Sequence, residues 1–213
     1  MIKKFASFLL ATTLLIGACG CMNNVSTTRR ESKITQKIET YLSEKYGTQF
    51  VYIGKGDDVW SSKSKSYIFA DMDNRQLIVK DTDGYFADNY GSSVYDVLAS
   101  ECFSQESNME SKIFINTQSV FFGFGKKFNG YKDYLCECPV VNVAVYVVGD
   151  CDWDIIAEKL KCLLGDCTVS AIVYNVDANT YNSLEHFGTT SNILSFASFW
   201  IEDNTISEKS WEE

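Results

Sequence analysis

In this 213-residue chain, cysteine is the residue type to consider first for catalysis, metal binding or disulfide formation. Eight cysteines are present, and six of them form a C-terminal set: Cys102, Cys136, Cys138, Cys151, Cys162 and Cys167. In an extended segment Cys136 and Cys138 would present both thiols on one face, because strand side chains alternate with a period of two. The set has no C-x₂-C pair and no histidine partner, so it does not predict a metal site. Disulfides stay open, since six cysteines allow 15 complete pairings.

The single histidine, His186, is the next candidate. A hydrolase with a Ser/His/Asp or Cys/His site would have to use it, but no G-x-S-x-G turn supplies a serine. Its position two residues before Gly188 is typical of the end of a helix. We therefore predict no catalytic residue and no cofactor. The alternative is an extracellular enzyme that is thiol-based or depends on His186.

Three alternating acids, Asp150, Asp152 and Asp154, resemble the start of a calcium-binding loop. Such a loop needs glycine at its sixth position and glutamate at its twelfth, where this chain has Ile155 and Lys161. Helix capping explains the acids better, because a carboxylate is favourable at a helix N-terminus. We predict that Asp152 caps a helix and binds no calcium.

Residues 123–131 (GFGKKFNGY) combine glycine, lysine and aromatic side chains. They match neither of the glycine-rich phosphate-binding patterns. Their side chains could stack on a sugar or contact an acidic partner, and binding residues concentrate in loops. The candidate binding residues are Phe124, Lys126, Lys127, Phe128 and Tyr131. The alternative is a long loop or hairpin tip whose phenylalanines cover the core.

The N-terminus has the pattern of an export signal. Lys3 and Lys4 precede an uncharged run over residues 5–16, which is followed by Gly17-Ala18-Cys19. A basic start, a short apolar run and small residues are typical of a secretory signal peptide, and the run is too short to span a bilayer. The tetrapeptide 16–19 resembles a bacterial lipobox, which implies cleavage before Cys19 and a diacylglycerol on its sulfur. The alternatives are an uncleaved anchor, cleavage at an ordinary small-residue site, and the weaker lipid acceptor Cys21.

Charge indicates how the chain would be held at a membrane. Without Lys3 and Lys4, 17 basic residues stand against 28 acidic ones, a net charge near −11. An acidic surface disfavours nucleic acid and is repelled by anionic lipid. Stable anchoring takes about two acyl chains when no basic patch assists. The predicted location is therefore the outer face of the cytoplasmic membrane, through the lipid on Cys19.

The remaining sequence predicts an α+β fold with mixed sheets and helices on one face of each half. The predicted segments are a signal peptide (1–18), a lipidated tether (19–31), an N-terminal α+β half (32–103), a C-terminal α/β half (112–201) and a frayed acidic tail (202–213). Apolar spacing of 3–4 predicts helices, and β-branched or alternating runs predict strands. Predicted helices cover 32–46, 94–103, 153–164 and 177–186. Predicted strands cover 50–54, 66–72, 76–80, 112–122, 140–148, 168–176 and 193–201, with a loop over 123–134. The order 140–148, 153–164, 168–176 predicts a β-α-β unit with parallel strands.

Residues 41–50 (YLSEKYGTQF) resemble a helix-to-strand junction of small exported proteins of Gram-positive firmicutes. The turn Asp88-Asn89-Tyr90 and the strand at 169–174, followed by a helix with Tyr181, are similar to the same group. This resemblance covers much of residues 32–201 and implies an uncharacterised lipoprotein family. It transfers no catalytic residues. The function predicted from the sequence is a non-enzymatic binding domain for a protein or glycan partner.

Overall fold

Two five-stranded sheets and five helices make up the part of the chain that the computed structural model describes, residues 22–57, 64–106, 111–149, 152–185 and 192–212. The helices are α1 (Met22–Tyr46), α2 (Tyr90–Glu106), α3 (Tyr131–Glu137), α4 (Trp153–Leu164) and α5 (Ala178–Ser183). The strands are β1 (Phe50–Lys55), β2 (Ser64–Asp71), β3 (Gln76–Thr82), β4 (Tyr85–Asp88), β5 (Ser111–Asn116), β6 (Phe122–Gly123), β7 (Val141–Val147), β8 (Val169–Val176), β9 (Ile193–Glu202) and β10 (Thr205–Glu212). In these ranges, none of the helices has the length and apolar character needed to cross a membrane.

The first sheet has the order β1-β2-β3-β4-β6, and all its neighbouring strands are antiparallel. One face packs against α1, whose Ile38 and Leu42 are fully buried. These residues are four apart and therefore lie on the same side of a helix. The apolar spacing read from the sequence is thus the spacing that forms this core.

The second sheet has the order β10-β9-β8-β7-β5. Strands β7 and β8 are parallel and α4 lies between them in the chain, which confirms the predicted β-α-β unit. Strand β7 is buried on both faces, as its continuous apolar run predicted. The larger core of the protein lies between this sheet and helices α2, α3 and α4. The α+β class with mixed sheets is confirmed.

Aspartate side chains cap the N-termini of α4 and α5. Asp152 accepts hydrogen bonds from the backbone N–H groups of Asp154 and Ile155, both at 3.1 Å, so the predicted cap of α4 is confirmed. Asp177 caps α5 in the same way through the N–H of Thr180, at 2.7 Å. Capping residues satisfy N–H groups that have no partner inside the helix.

The predicted frayed tail is wrong, because residues 205–212 form β10 and pair with β9. Asp203 and Asn204 both have positive φ, 49° and 56°. Two such residues form the two-residue turn that matches the twist of antiparallel strands. The chain therefore folds back at Asp203-Asn204 despite the acidic composition that follows.

The predicted strand over 112–122 is also wrong beyond Asn116. The side chain of Asn116 accepts a hydrogen bond from the N–H of Gln118 at 2.6 Å, and Gln118 and Ser119 have positive φ. This turn ends β5, and residues 122–123 then pair with β4 of the first sheet. The two sheets are thus connected by a strand from the predicted C-terminal half.

Three further boundaries differ from the sequence prediction. Helix α1 begins at Met22, so part of the segment interpreted as an irregular tether is helical, and residues 22–31 contain no Gly or Pro to prevent this. Helix α3 replaces the second part of the predicted loop over 123–134. The first turn of α2 occupies residues 90–93, within the segment 88–93 that was expected to form turns, and β4 (Tyr85–Asp88) precedes it.

Candidate functional site

A groove of about 790 Å³ lies between helix α2 and strand β5. We call it the α2–β5 groove. It is lined along α2 by Ser93, Asp96, Ser100 and Ser104 and along β5 by residues 112–116, and Leu184 and Glu185 lie at its end. Strand β5 is the last strand of the second sheet, so its outer edge would otherwise be unpaired.

Three side chains of α2 take the place of a neighbouring strand at this edge. The backbone N–H groups of Ile113, Ile115 and Thr117 donate to Ser104 Oγ at 3.2 Å, Ser100 Oγ at 2.8 Å and Asp96 Oδ2 at 3.0 Å. The three acceptor side chains are four residues apart and therefore lie on one side of the helix. The three donor N–H groups are two residues apart and therefore point to one side of the extended segment, so acceptors and donors face each other. Edge strands left open can pair with other chains. Helix α2 therefore closes the edge and forms one wall of the groove.

Asp96 is the most unusual group in this wall. It is 6% exposed. Its Oδ2 accepts from the N–H and the hydroxyl of Thr117, at 3.0 and 3.1 Å. Its Oδ1 is buried and has no hydrogen-bond partner among the described residues. Burial raises the pKa of Asp96 to about 7, although the two bonds from Thr117 oppose the shift. The carboxyl group thus changes charge near neutral pH.

A hydroxyl network lies behind Asp96 and fixes the groove wall to α3. Tyr134 Oη is 2.7 Å from Thr117 Oγ1 and 3.0 Å from Ser92 Oγ, and Ser92 Oγ is 3.0 Å from Thr117 Oγ1. Tyr134 is fully buried, and burial raises its pKa. Networks whose members are mutually satisfied are rigid. The α2–β5 groove is therefore preformed on this side.

The rim of the groove carries negative charge. Glu101 and Glu185 are exposed. The ammonium group of Lys112 donates to the carbonyl oxygens of Tyr181 and Leu184, at 2.6 and 2.9 Å, at the end of α5. The ammonium group of Lys112 is therefore already bound to carbonyl oxygens of the protein. The lining combines polar side chains with apolar surface from residues such as Val97, Phe114 and Leu184. The negatively charged rim suits a ligand that donates hydrogen bonds.

A second buried polar cluster has a structural role. Asp88 is fully buried and accepts from Tyr41 Oη at 2.6 Å, Lys45 Nζ at 2.8 Å and Tyr46 Oη at 2.5 Å. Lys45 also donates to the carbonyl oxygen of Phe122 at 3.0 Å. Burial lowers the pKa of Lys45, although Asp88 opposes the shift. Because all these partners are protein groups, the cluster ties α1 to β4 and β6.

The aromatic residues of the predicted binding loop lie against the rest of the protein. Phe124 is 56% exposed, yet its ring packs against Tyr41 with 4.5 Å between centroids. Phe128 packs against the fully buried Tyr134 at 5.2 Å. The ring of Tyr131 packs edge-on against Phe103 at 5.4 Å. These contacts correspond to the alternative in which the aromatic side chains cover the cores.

The lysines of the same loop have protein partners. Lys126 Nζ is 2.6 Å from the carboxylate of Glu137, and Lys127 Nζ donates to the carbonyl oxygen of Glu44 at 3.2 Å. Both bonds are exposed, and such pairs contribute little to stability. A ligand could therefore displace them at small cost. The predicted loop stays a candidate separate from the α2–β5 groove.

The thiols of the C-terminal set fall in different environments. Cys136 Sγ lies 3.1 Å from Cys167 Sγ. Cys138 is buried in the larger core. Burial raises the pKa of Cys138 and of Cys167 to about 12. A buried, protonated thiol is a poor nucleophile, so neither residue supports the thiol-enzyme alternative.

Several residues of the sequence analysis lie outside the described residues: Cys19, Cys21, Asp150, Cys151 and His186. Of the remaining acids of the candidate calcium loop, Asp152 caps α4 and Asp154 pairs with Lys209 at 2.7 Å. Within the ranges that the structure describes, no three His, Cys, Asp or Glu side chains are grouped so that they could hold a metal ion.

Comparisons with known proteins give one distant similarity. No family model matches the chain, and no curated protein matches it. Among solved structures, the chain is similar to a DUF5037 family protein from Ruminococcus gnavus, with 14% identity and a TM-score of 0.46 over 82% of this chain and 94% of that one. At this level the similarity assigns neither a family nor an activity.

Sequence reasoning missed the α2–β5 groove. The signal that could have found it is the polar series Ser93, Asp96, Ser100 and Ser104, whose spacing of three and four residues places it on one side of a helix. The predicted helix, 94–103, was too short to include its two ends. The apolar residues Val97 and Leu98 of the same helix, which apolar spacing would assign to the core, are 49% and 44% exposed. The edge strand that the polar side would contact could not be identified before the strand order was known.

Proposed function

We propose that this protein is a lipid-anchored, extracytoplasmic binding domain without enzymatic activity, and that its ligand occupies the α2–β5 groove. The export signal and Cys19 support the location. The observation that carries the binding role is the groove itself, because preformed concave sites with a few converging polar groups are typical ligand sites. The ligand is a protein or glycan that offers hydroxyl or amino groups to the exposed carboxylates of Glu101 and Glu185 at the rim.

The location is tested by mass spectrometry of the mature protein from membranes. The expected N-terminal residue is Cys19 carrying a diacylglycerol, and Cys19→Ser is expected to release the protein from the membrane fraction. An intact leader, or a processed product without lipid, contradicts the location.

The binding role is tested by capture from intact cells with the lipidated protein, in parallel with a glycan array. Val97→Arg and Glu101→Lys change half-exposed and exposed side chains of the groove and are expected to reduce capture at least tenfold. Glu202→Lys is the matched control, since it makes the same charge change at an exposed residue of β9, away from the groove and from the loop over 123–131. If the Phe124→Ala variant abolishes capture and the groove variants retain it, the ligand binds the loop over 123–131.

A further inference from the structure

Cys136 and Cys167 are held against each other by two separate parts of the larger core. Cys136 lies in the last turn of α3, next to the fully buried Leu135. Cys167 follows α4, and its N–H donates to the carbonyl oxygen of Leu164 at 2.8 Å. Their sulfur atoms are 3.1 Å apart, and a bond between them needs a separation of about 2.05 Å. The two sulfur atoms therefore need to move only slightly closer for a disulfide to form.

We propose that Cys136 and Cys167 form a disulfide in the exported protein, and that Cys138 remains a thiol. The inference rests on the extracytoplasmic location proposed above, because disulfides persist outside the reducing cytoplasm. The bond would fix the end of α3 to the connection between α4 and β8.

The other described cysteines are placed for different contacts. Cys138 Sγ donates to the carbonyl oxygen of Tyr134 at 3.3 Å inside the core, and the residue is 5% exposed. Cys102 Sγ donates a hydrogen bond to Glu106 Oε1 at 3.2 Å and accepts one from Tyr131 Oη at 3.3 Å. Cys162 is exposed on α4. Among the described cysteines, the sulfur contact between residues 136 and 167 therefore selects one pairing.

The oxidant is a small-molecule or protein disulfide that reacts by thiol exchange. The thiolate of Cys136, which is exposed, attacks one sulfur of that disulfide and releases the first thiol. The Cys167 sulfur then loses its proton and attacks Cys136 Sγ, which releases the second. Two cysteine thiols are oxidised, one external disulfide is reduced to two thiols, and the two protons are transferred to these products. Burial raises the pKa of Cys167 to about 12, so closure is expected to accelerate as the pH rises.

The experiment uses the full-length protein isolated from membranes and alkylated without reductant. Proteolysis after Glu137 and Asp166 separates Cys136 from Cys138 and Cys162 from Cys167. The expected product is a cross-linked pair of peptides that contain Cys136 and Cys167, with Cys138 alkylated after unfolding. Both cysteines alkylated, or Cys167 linked to another cysteine, in a protein with lipid on Cys19 would overturn the disulfide and leave the location intact.

Thermal unfolding gives a second readout. Reductant, Cys136→Ser and Cys167→Ser are each expected to lower Tm by about 5–10 °C, the usual size for a disulfide in a domain of this length. Cys162→Ser is the matched control and should leave Tm unchanged. If the leader is found intact, the location fails. Incubation of the purified protein with glutathione disulfide then decides the pairing alone, and failure to close overturns it.

Discussion

Asp88 and Asp96 are both buried, but their carboxyl groups have different partners. Asp88 accepts hydrogen bonds on both oxygens and contacts the ammonium group of Lys45. Asp96 has no basic partner among its hydrogen bonds, and only its Oδ2 accepts. Desolvation therefore dominates at Asp96 and raises its pKa to about 7.

This shift predicts that stability falls as the pH rises. The unfolded state would lose the Asp96 proton near pH 3.8, whereas the folded state keeps it to about pH 7. Below pH 3.8 the contribution is complete, and it is lost as the pH rises through 7. Between pH 5 and pH 8 the free energy of unfolding should fall by about 1–3 kcal/mol more in the wild type than in Asp96→Asn. Urea unfolding of both proteins at the two pH values measures the difference.

Asp57→Asn is the control for this measurement, because Asp57 is exposed. Its unfolding free energy should depend on pH in the same way as that of the wild type. Parallel pH profiles of the wild type and Asp96→Asn would contradict the assignment.

Helix α2 connects the elements that form the groove. One side supplies the oxygen acceptors for β5, and Ala99 and Phe103 are fully buried in the larger core. Gly91 in its first turn allows close contact with α3. A Cβ atom at this position would lie 2.3 Å from Cε2 of Tyr134. The absence of a side chain is thus a packing requirement here.

Gly91→Ala is therefore expected to destabilise the protein. In an exposed helix this change would stabilise by about 1 kcal/mol. Here the added methyl group meets a buried ring that Ser92 and Thr117 hold in place, and overpacking costs about 1–3 kcal/mol. Chemical denaturation measures the net effect. Glu101→Ala on the exposed side of the same helix should stay within about 0.5 kcal/mol of the wild type. A Gly91→Ala protein as stable as the wild type would contradict the close packing.

At the scale of the whole molecule, two connections hold the two sheets together. Strand β6 follows β5 in the chain but pairs with β4. Helix α2 contacts both β3 and β5. The two halves read from the sequence are therefore interleaved in the structure.

The C-terminal strand is expected to protect the second sheet. A chain that ends at Asn204 loses β10, exposes the edge of β9 and loses the contact of Ile206 with the larger core. We expect the free energy of unfolding to fall by about 2–4 kcal/mol and oligomers to form, because β9 is long and apolar at an open edge. Thermal unfolding and size-exclusion chromatography measure both effects. Removal of Glu213 alone is the control, and a monomeric truncated protein with unchanged Tm would contradict the prediction.

The sequence by itself determined those features that depend on neighbouring residues. The apolar spacing of α1, the Asp152 cap of α4 and the apolar run of β7 each contain their own signal, and the structure confirms all three. The lipobox at Cys19 is a signal of the same kind and stays a prediction. Local signals are readable because capping and periodicity act over a few residues.

Only the tertiary structure decided the groove, the burial of Asp96 and the contact between Cys136 and Cys167. Each depends on groups that are far apart in the chain, such as Asp96 and Thr117 or two cysteines separated by 31 positions. The end of β5 and the pairing of β10 likewise depend on positive-φ turns and on a partner strand. Burial and strand pairing are set by neighbours in space, and no spacing along the sequence determines which neighbours these are.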